Sequence, residues 1–170
     1  MRKFILLIAL LVATTAAKAQ QFAFIDTEYI LENIPAYAKA AQQLDESSKK
    51  WQAAIEAKAA EAKKLYENYQ SKAASMTDAQ RSSQENAIVA KEKEIADLRQ
   101  QYFGQDGEMA KLEEKLLAPI HDSIYEAVKQ VAEDAGYDAV IDRATAQSVI
   151  FASPRIDVSD DVLAVLGYSN

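Results

Sequence analysis

The chain has no cysteine, which excludes disulfides, thiolate metal ligands and a lipid-anchoring thiol. Its single histidine, His121, has no second imidazole or thiolate to converge with, so no metal centre is expected. Only four glycines and three prolines occur in 170 residues, too few for a loop-rich fold. Phosphate-binding glycine loops, nucleophile elbows and zinc-type spacings are all missing, so the sequence offers neither a cofactor site nor a catalytic residue. Gly104 and Gly107 form a GxxG pair within a helical pattern with no strand before it, and a hinge is the expected role. Basic blocks are lacking as well: 19 Lys and Arg face 26 Asp and Glu, for a net charge of −7. An acidic chain of this kind is unsuited to the phosphate backbone of nucleic acid.

What is present begins with MRKFILLIALLVATTAAKAQ. Arg2 and Lys3 precede an apolar run over Phe4 to Val12, and Ala17 and Ala19 supply the small residues of a signal-peptidase site. The run falls short of the ~20 residues a spanning helix needs. Residues 1–19 therefore read as a cleavable secretory leader, and an exported location is expected. The leader takes Arg2, Lys3 and Lys18 with it, leaving 16 Lys and Arg against 26 Asp and Glu.

FAFID places Phe22 and Phe24 on one face of a strand and Ala23 and Ile25 on the other. Asp26 or Thr27 caps a short helix running to about Asn33, and Pro35 ends it while suiting the first turn of the next. From Ala36 to Ala74, 12 of 39 residues are alanine and none is Gly or Pro, which predicts one long helix. Leu44, Trp51, Ile55, Ala62, Leu65, Tyr69 and Met76 mark a coiled-coil seam, interrupted by Ser48, Lys58 and Lys72. Thr77 and Gln80 have capping-box spacing and start a second helix. Its beat of seven runs through Ile88, Ile95, Tyr102, Met109 and Leu116, and two such seams joined by a tight turn imply an antiparallel hairpin. The second helix is expected to continue to Gly136, with bends at Gly104, Gly107 and Pro119.

After Gly136, YDAVID and SVIFAS read as two strands near enough in sequence to pair around the turn RATAQ. Ser159 is expected to cap a last helix bearing Val162, Leu163, Val165 and Leu166. The fold class is thus α+β, mostly α: a helical-hairpin arm, residues 36–115, projecting from a small β body made by residues 20–35 and 116–170. Three short strands leave two edges unpaired, and symmetric association is the simplest remedy. Phe22, Phe24, Ile25, Val140, Ile141, Val149, Ile150 and Phe151 are the candidate oligomerisation residues. The arm span holds 13 Lys and Arg against 14 Asp and Glu, so it lacks strong long-range bias toward either charge. Tyr66 and Phe103 lie off the seam and, with Met76, are the candidate contacts for apolar segments of a partner. Asp26 and Asp142 end their strands and are read as caps of helices or turns, not as paired catalytic acids.

The segments FAFIDTEYILENIPAYAKAAQQL and LLAPIHDSIYEAVKQVAEDAGYDAVIDRATAQSVIFASPRIDVSDDVLAVL, around a charged helical hairpin, resemble the Skp/OmpH family of periplasmic chaperones. The resemblance implies a homotrimer whose strands close a small barrel, with the hairpins as tentacles around a cavity. It implies ATP-independent holding of unfolded outer-membrane proteins and no enzymatic activity. The family's proposed lipid or lipopolysaccharide contact relies on basic arm tips, and this tip, Ser71 to Gln84, has only Lys72 and Arg81 with Asp78 between them, so that contact is not carried over. A coiled-coil spacer or adaptor of the cell envelope, docking one partner, is the alternative reading.

Overall fold

The computed structural model describes residues 21–146 and 148–168; the expected leader, residues 1–19, and Gln147 of the expected turn lie outside the described residues. In chain order the elements are β1 (Phe22–Ile25), α1 (Thr27–Glu32), α2 (Pro35–Lys72), α3 (Asp78–Phe103), α4 (Glu108–Ala135), β2 (Ala139–Asp142) and α5 (Ser159–Val165). Short 3-10 turns occupy Ala73–Ser75 and Pro154–Ile156. The chain divides into two units: residues 21–34 with residues from 123 onward, and Pro35–Asp122.

In the first unit β1 and β2 form a parallel two-stranded sheet, with Phe22 beside Ala139 and Phe24 beside Ile141. Asp26 ends β1 and caps α1, its carboxylate accepting from the Tyr29 amide at 3.0 Å. Ala23 and Ile25 are buried together with Ile30, Ile34, Val158, Val162 and Leu163, and Ile124, Ala127 and Val131 of α4 belong to the same core set. α1 packs against α5. Gly136 takes φ +76, the left-handed conformation that ends a helix and that a side chain would strain. Its amide and that of Tyr137 both bond the Ala132 carbonyl, closing α4 before β2 begins.

Two expectations for this unit are corrected. SVIFAS forms no strand: residues 148–153 have no regular structure, and β2 pairs with β1 instead. The β-forming residues Val149, Ile150 and Phe151 are realised as strand only where an edge receives them. Within one chain the second edge of β1 is met by a bridge from Phe24 to Asp157, with the Val158 amide on the Phe24 carbonyl at 2.8 Å. Ser159 does not cap α5 either. It is the first helical residue, and Asp157 accepts from its amide at 3.0 Å, while the Ser159 hydroxyl is drawn off to the Asp26 amide.

In the second unit α2 and α3 form the expected antiparallel hairpin. Cross-helix partners run in opposite order, from Trp51 with Tyr102 through Lys58 with Glu94 to Tyr69 with Glu85. α2 has 38 residues, about 56 Å of helix at ~1.5 Å per residue. The seam buries Ile55, Ile88 and Ile95, and half-buries Leu44, Trp51, Leu65, Tyr69, Met76, Leu98 and Tyr102. At the tip, the Thr77 hydroxyl accepts from the Gln80 amide at 3.3 Å and the Gln80 side chain accepts from the Thr77 amide at 2.9 Å, completing the capping box.

The return helix is interrupted more sharply than a bend. α3 stops at Phe103, the Gly107 amide bonds the Gly104 carbonyl in a turn, and α4 starts at Glu108. Two glycines within four residues supply the weak helix propensity, and Gly104 takes an extended ψ of 169 that breaks the ladder. Pro119, by contrast, sits inside α4 without ending it.

Candidate functional site

On the first unit, the sheet face opposite Ala23 and Ile25 and the region beyond β2 carry most of the candidate assembly residues. Side chains alternate along β1, so burial of Ala23 and Ile25 sends Phe22 and Phe24 to the opposite face, which their neighbours Ala139 and Ile141 share. Phe22 is 44% exposed and Phe24 is half-buried. Among the described residues no strand joins the second edge of β2. Beyond β2, Ile150 is 99% and Phe151 80% exposed, while Val149 is half-buried. Ile25 separates from this group, since it faces the core, and Val140 is its neighbour's counterpart on that same inner face, level with Ala23.

A polar web ties the N-terminal strand to the C-terminal segments. Thr27 gives Asp142 two hydrogen bonds, from its amide at 3.1 Å and its hydroxyl at 2.7 Å, and the Ala144 amide and Thr145 hydroxyl each add one at 3.0 Å. Partial burial pushes the Asp142 carboxyl up, but the bonds from Thr27, Ala144 and Thr145 outweigh it and hold the group below its ordinary value. Arg143 bridges Asp26 at 3.1 Å and Asp157 at 3.5 Å. Asp157 in turn receives the buried Ser159 hydroxyl at 2.6 Å. Strand-end aspartates as caps were legible in the sequence. The joining of Asp26 to Arg143 and to Ser159 was not, because nothing local signals a partner more than a hundred residues away.

On the second unit, Lys58 and Lys91 meet Glu61 and Glu94 in a four-membered network across α2 and α3. Lys58 lies 2.8 Å from Glu94 and Lys91 lies 3.1 Å from Glu61, with Lys91 also 2.7 Å from Glu94. Hydrogen bonds from Lys58 and then Lys91 pull the Glu94 carboxyl down to about 2. Bonding to Glu94 likewise raises the Lys91 ammonium. Lys58, a polar interruption of the seam, is thus a cross-helix ion partner. Tyr69 donates to Glu85 nearer the tip, and Arg81 donates to the Ala73 carbonyl at 3.2 Å.

Of the candidate partner contacts, Tyr66 is 49% and Phe103 42% exposed, whereas Met76 is half-buried at the tip. Phe103 is held edge-on against Trp51, centroids 6.2 Å apart, and Trp51 stacks on Tyr102 at 5.3 Å. Beside this cluster lies an open cavity of about 660 Å³ that includes Phe103, Ile55 and Gly104 in its walls.

A long ion-paired antiparallel helical hairpin joined in sequence to a small two-stranded parallel sheet defines a mostly helical α+β protein. The chain belongs to the OmpH-like outer membrane protein family, whose model matches residues 21–166. It is 30% identical over 155 residues to the chaperone protein Skp of Yersinia enterocolitica, covering 90% of each chain. It is also 30% identical over 158 residues to Skp of Photorhabdus laumondii, covering 92% of this chain and 91% of that one. The crystal structure of an OmpH-like protein from Caulobacter crescentus CB15 shares the fold, with a TM-score of 0.68 at 15% identity over 89% of this chain and 86% of the other.

Proposed function

We propose that this protein is an ATP-independent periplasmic holdase that shelters unfolded outer-membrane proteins between the arms of an oligomer, three chains being what the family resemblance implies. Residues 1–19 serve as its export signal, residues 20–35 and 116–170 as the assembly body, and residues 36–115 as the arm. The observation that carries the reading is the construction of the arm: a narrow seam and cross-helix ion pairs hold the two helices together while Tyr66 and Phe103 remain exposed. An arm of that kind offers many weak apolar and polar contacts instead of one enclosed pocket, and several arms acting together convert weak contacts into firm retention. Membership in the chaperone family points the same way.

Assembly is supported by the surplus of apolar surface on the body. Burying a large apolar side chain is worth about 1.5–3 kcal/mol, so Ile150 and Phe151, left in water, are favourable groups for a neighbouring copy to cover. In the proposed assembly, a neighbouring copy covers Ile150, Phe151 and the open edge of β2, and such edges from successive chains close into a barrel.

The test is suppression of aggregation of a urea-denatured outer-membrane β-barrel protein, diluted into buffer without nucleotide. The expected result is suppression that saturates at a fixed ratio of oligomer to client. No suppression at molar excess would rule the holdase out.

A further inference from the structure

The cavity beside Phe103 exists because one helix of the hairpin stops and the other does not. α2 continues unbroken from Pro35 to Lys72, while α3 ends at Phe103 and glycine follows. A Cβ at position 104 would lie 2.3 Å from the Gln100 carbonyl oxygen, so Gly104 leaves that wall as bare backbone. Ile55, Ala96 and Phe103 supply the apolar lining, and Glu56 and Arg99 stand with them. The volume of about 660 Å³ falls in the ~300–1,000 Å³ range of small-ligand sites. Phe103 is prepositioned by its edge contact with Trp51, which reduces the ordering cost of using its ring as a binding surface.

The charges select the occupant. Glu56 and Arg99 carry opposite signs, so the cavity has no net attraction for a charged side chain, and burying one against Ile55 and Phe103 carries a desolvation penalty. Among the described residues the Arg99 guanidinium has no ion pair or hydrogen-bond partner, whereas Glu56 receives only a long bond, 3.4 Å, from Gln52. A free donor and a nearly free acceptor beside an apolar wall match an extended peptide, which offers a carbonyl to one and an amide to the other.

We propose that this cavity seats one large apolar side chain, aromatic by preference, from an uncharged extended stretch of unfolded polypeptide, with the segment's backbone held by Arg99 and Glu56. The proposal deepens the holdase reading and rests on it, since it names the client feature that one point on the arm selects.

Trp51 is the only tryptophan in the chain and touches Phe103, so its emission reports occupancy. Mature protein is titrated with short, uncharged, tryptophan-free strand peptides differing only in a central Phe or Ser. The Phe peptide is expected to change Trp51 emission saturably and to bind at least tenfold more tightly than the Ser peptide. Ala96→Leu, which fills the cavity from an exposed helical position, and Phe103→Ala are each expected to weaken binding at least tenfold with helical circular dichroism retained. No saturable change, equal responses to the two peptides, or full binding by both variants overturns the proposal. A change in Trp51 emission with protein concentration alone assigns the cavity to a second copy and also overturns it. Aggregation suppression measured on the same samples separates the two ideas: suppression without a peptide response removes only the cavity, and a peptide response without suppression removes the holdase.

Discussion

Thr27 and Asp142 are 115 residues apart in sequence, yet the amide and hydroxyl of the one both bond the carboxylate of the other, at 3.1 and 2.7 Å. The pair fastens the start of α1 to the end of β2 and so holds the parallel strands in register. Asp142→Ala removes four hydrogen bonds to one charged group and is expected to destabilise the body by about 1.5–3 kcal/mol. Amide hydrogen exchange of Thr27 and Ala144 is the direct measure; protection unchanged in the variant would contradict the role. Because the folded carboxyl lies below its ordinary value, the contribution is full above the usual carboxylate range and is lost as pH falls through the depressed value.

Acid should loosen the arm by the same sign of argument. Glu94 has a folded pKa of about 2 against an ordinary 4.5, so its stabilising effect is complete above pH 4.5 and disappears as pH falls toward 2. Thermal melts followed by circular dichroism are expected to shift downward across that window. Glu94→Gln should flatten the dependence while leaving the neutral-pH fold intact. An equal slope in wild type and variant would place the sensitivity elsewhere.

Gly104 should not tolerate a side chain where it stands. A Cβ would come within 2.3 Å of a backbone oxygen, so Gly104→Ala must shift the interruption or lose stability, at an overpacking cost of about 1–3 kcal/mol. Since Phe103 and Trp51 flank the site, the variant is expected to show an altered Trp51 emission spectrum together with a lower melting temperature. A spectrum and melting curve matching the wild type would mean the interruption is not sterically fixed.

Assembly through the body predicts that Phe151→Asp lowers the molar mass measured by light scattering, since it sets a charge where a neighbouring copy is proposed to pack. Removing Leu44 to Gln105 should have the opposite character, leaving the oligomer formed and abolishing suppression of client aggregation. A mass unaffected by Phe151→Asp, or assembly lost with the arm, would contradict the division of labour between body and arm.

The helices were legible because their signals are local. Alanine-rich composition carries α2 from Pro35 to Lys72, Thr77 and Gln80 cap α3 through atoms three residues apart, and Gly136 ends α4 by a conformation of its own backbone. The exposure of Tyr66 and Phe103 followed from the same periodicity. Lys58 does interrupt the apolar seam, but its ion partner, Glu94, lies on the other helix, and no periodic pattern within α2 can reveal it.

What the sequence determined by itself, then, is that these segments are helical, which stripe of each is apolar, and the ends marked by Pro35, the Thr77–Gln80 box and Gly136, because propensity, capping and periodicity act within a few residues; the full break at Gly104 and the start of α5 were not among them. Which strands meet was decided by tertiary structure. β2 joins β1 and not the adjacent 148–153 segment, and Ser159 serves the Asp26 amide and not its own helix. The physical reason is that backbone edges and buried hydroxyls are satisfied by whatever partner the packed core brings near, and that core joins residues separated by the whole length of the arm.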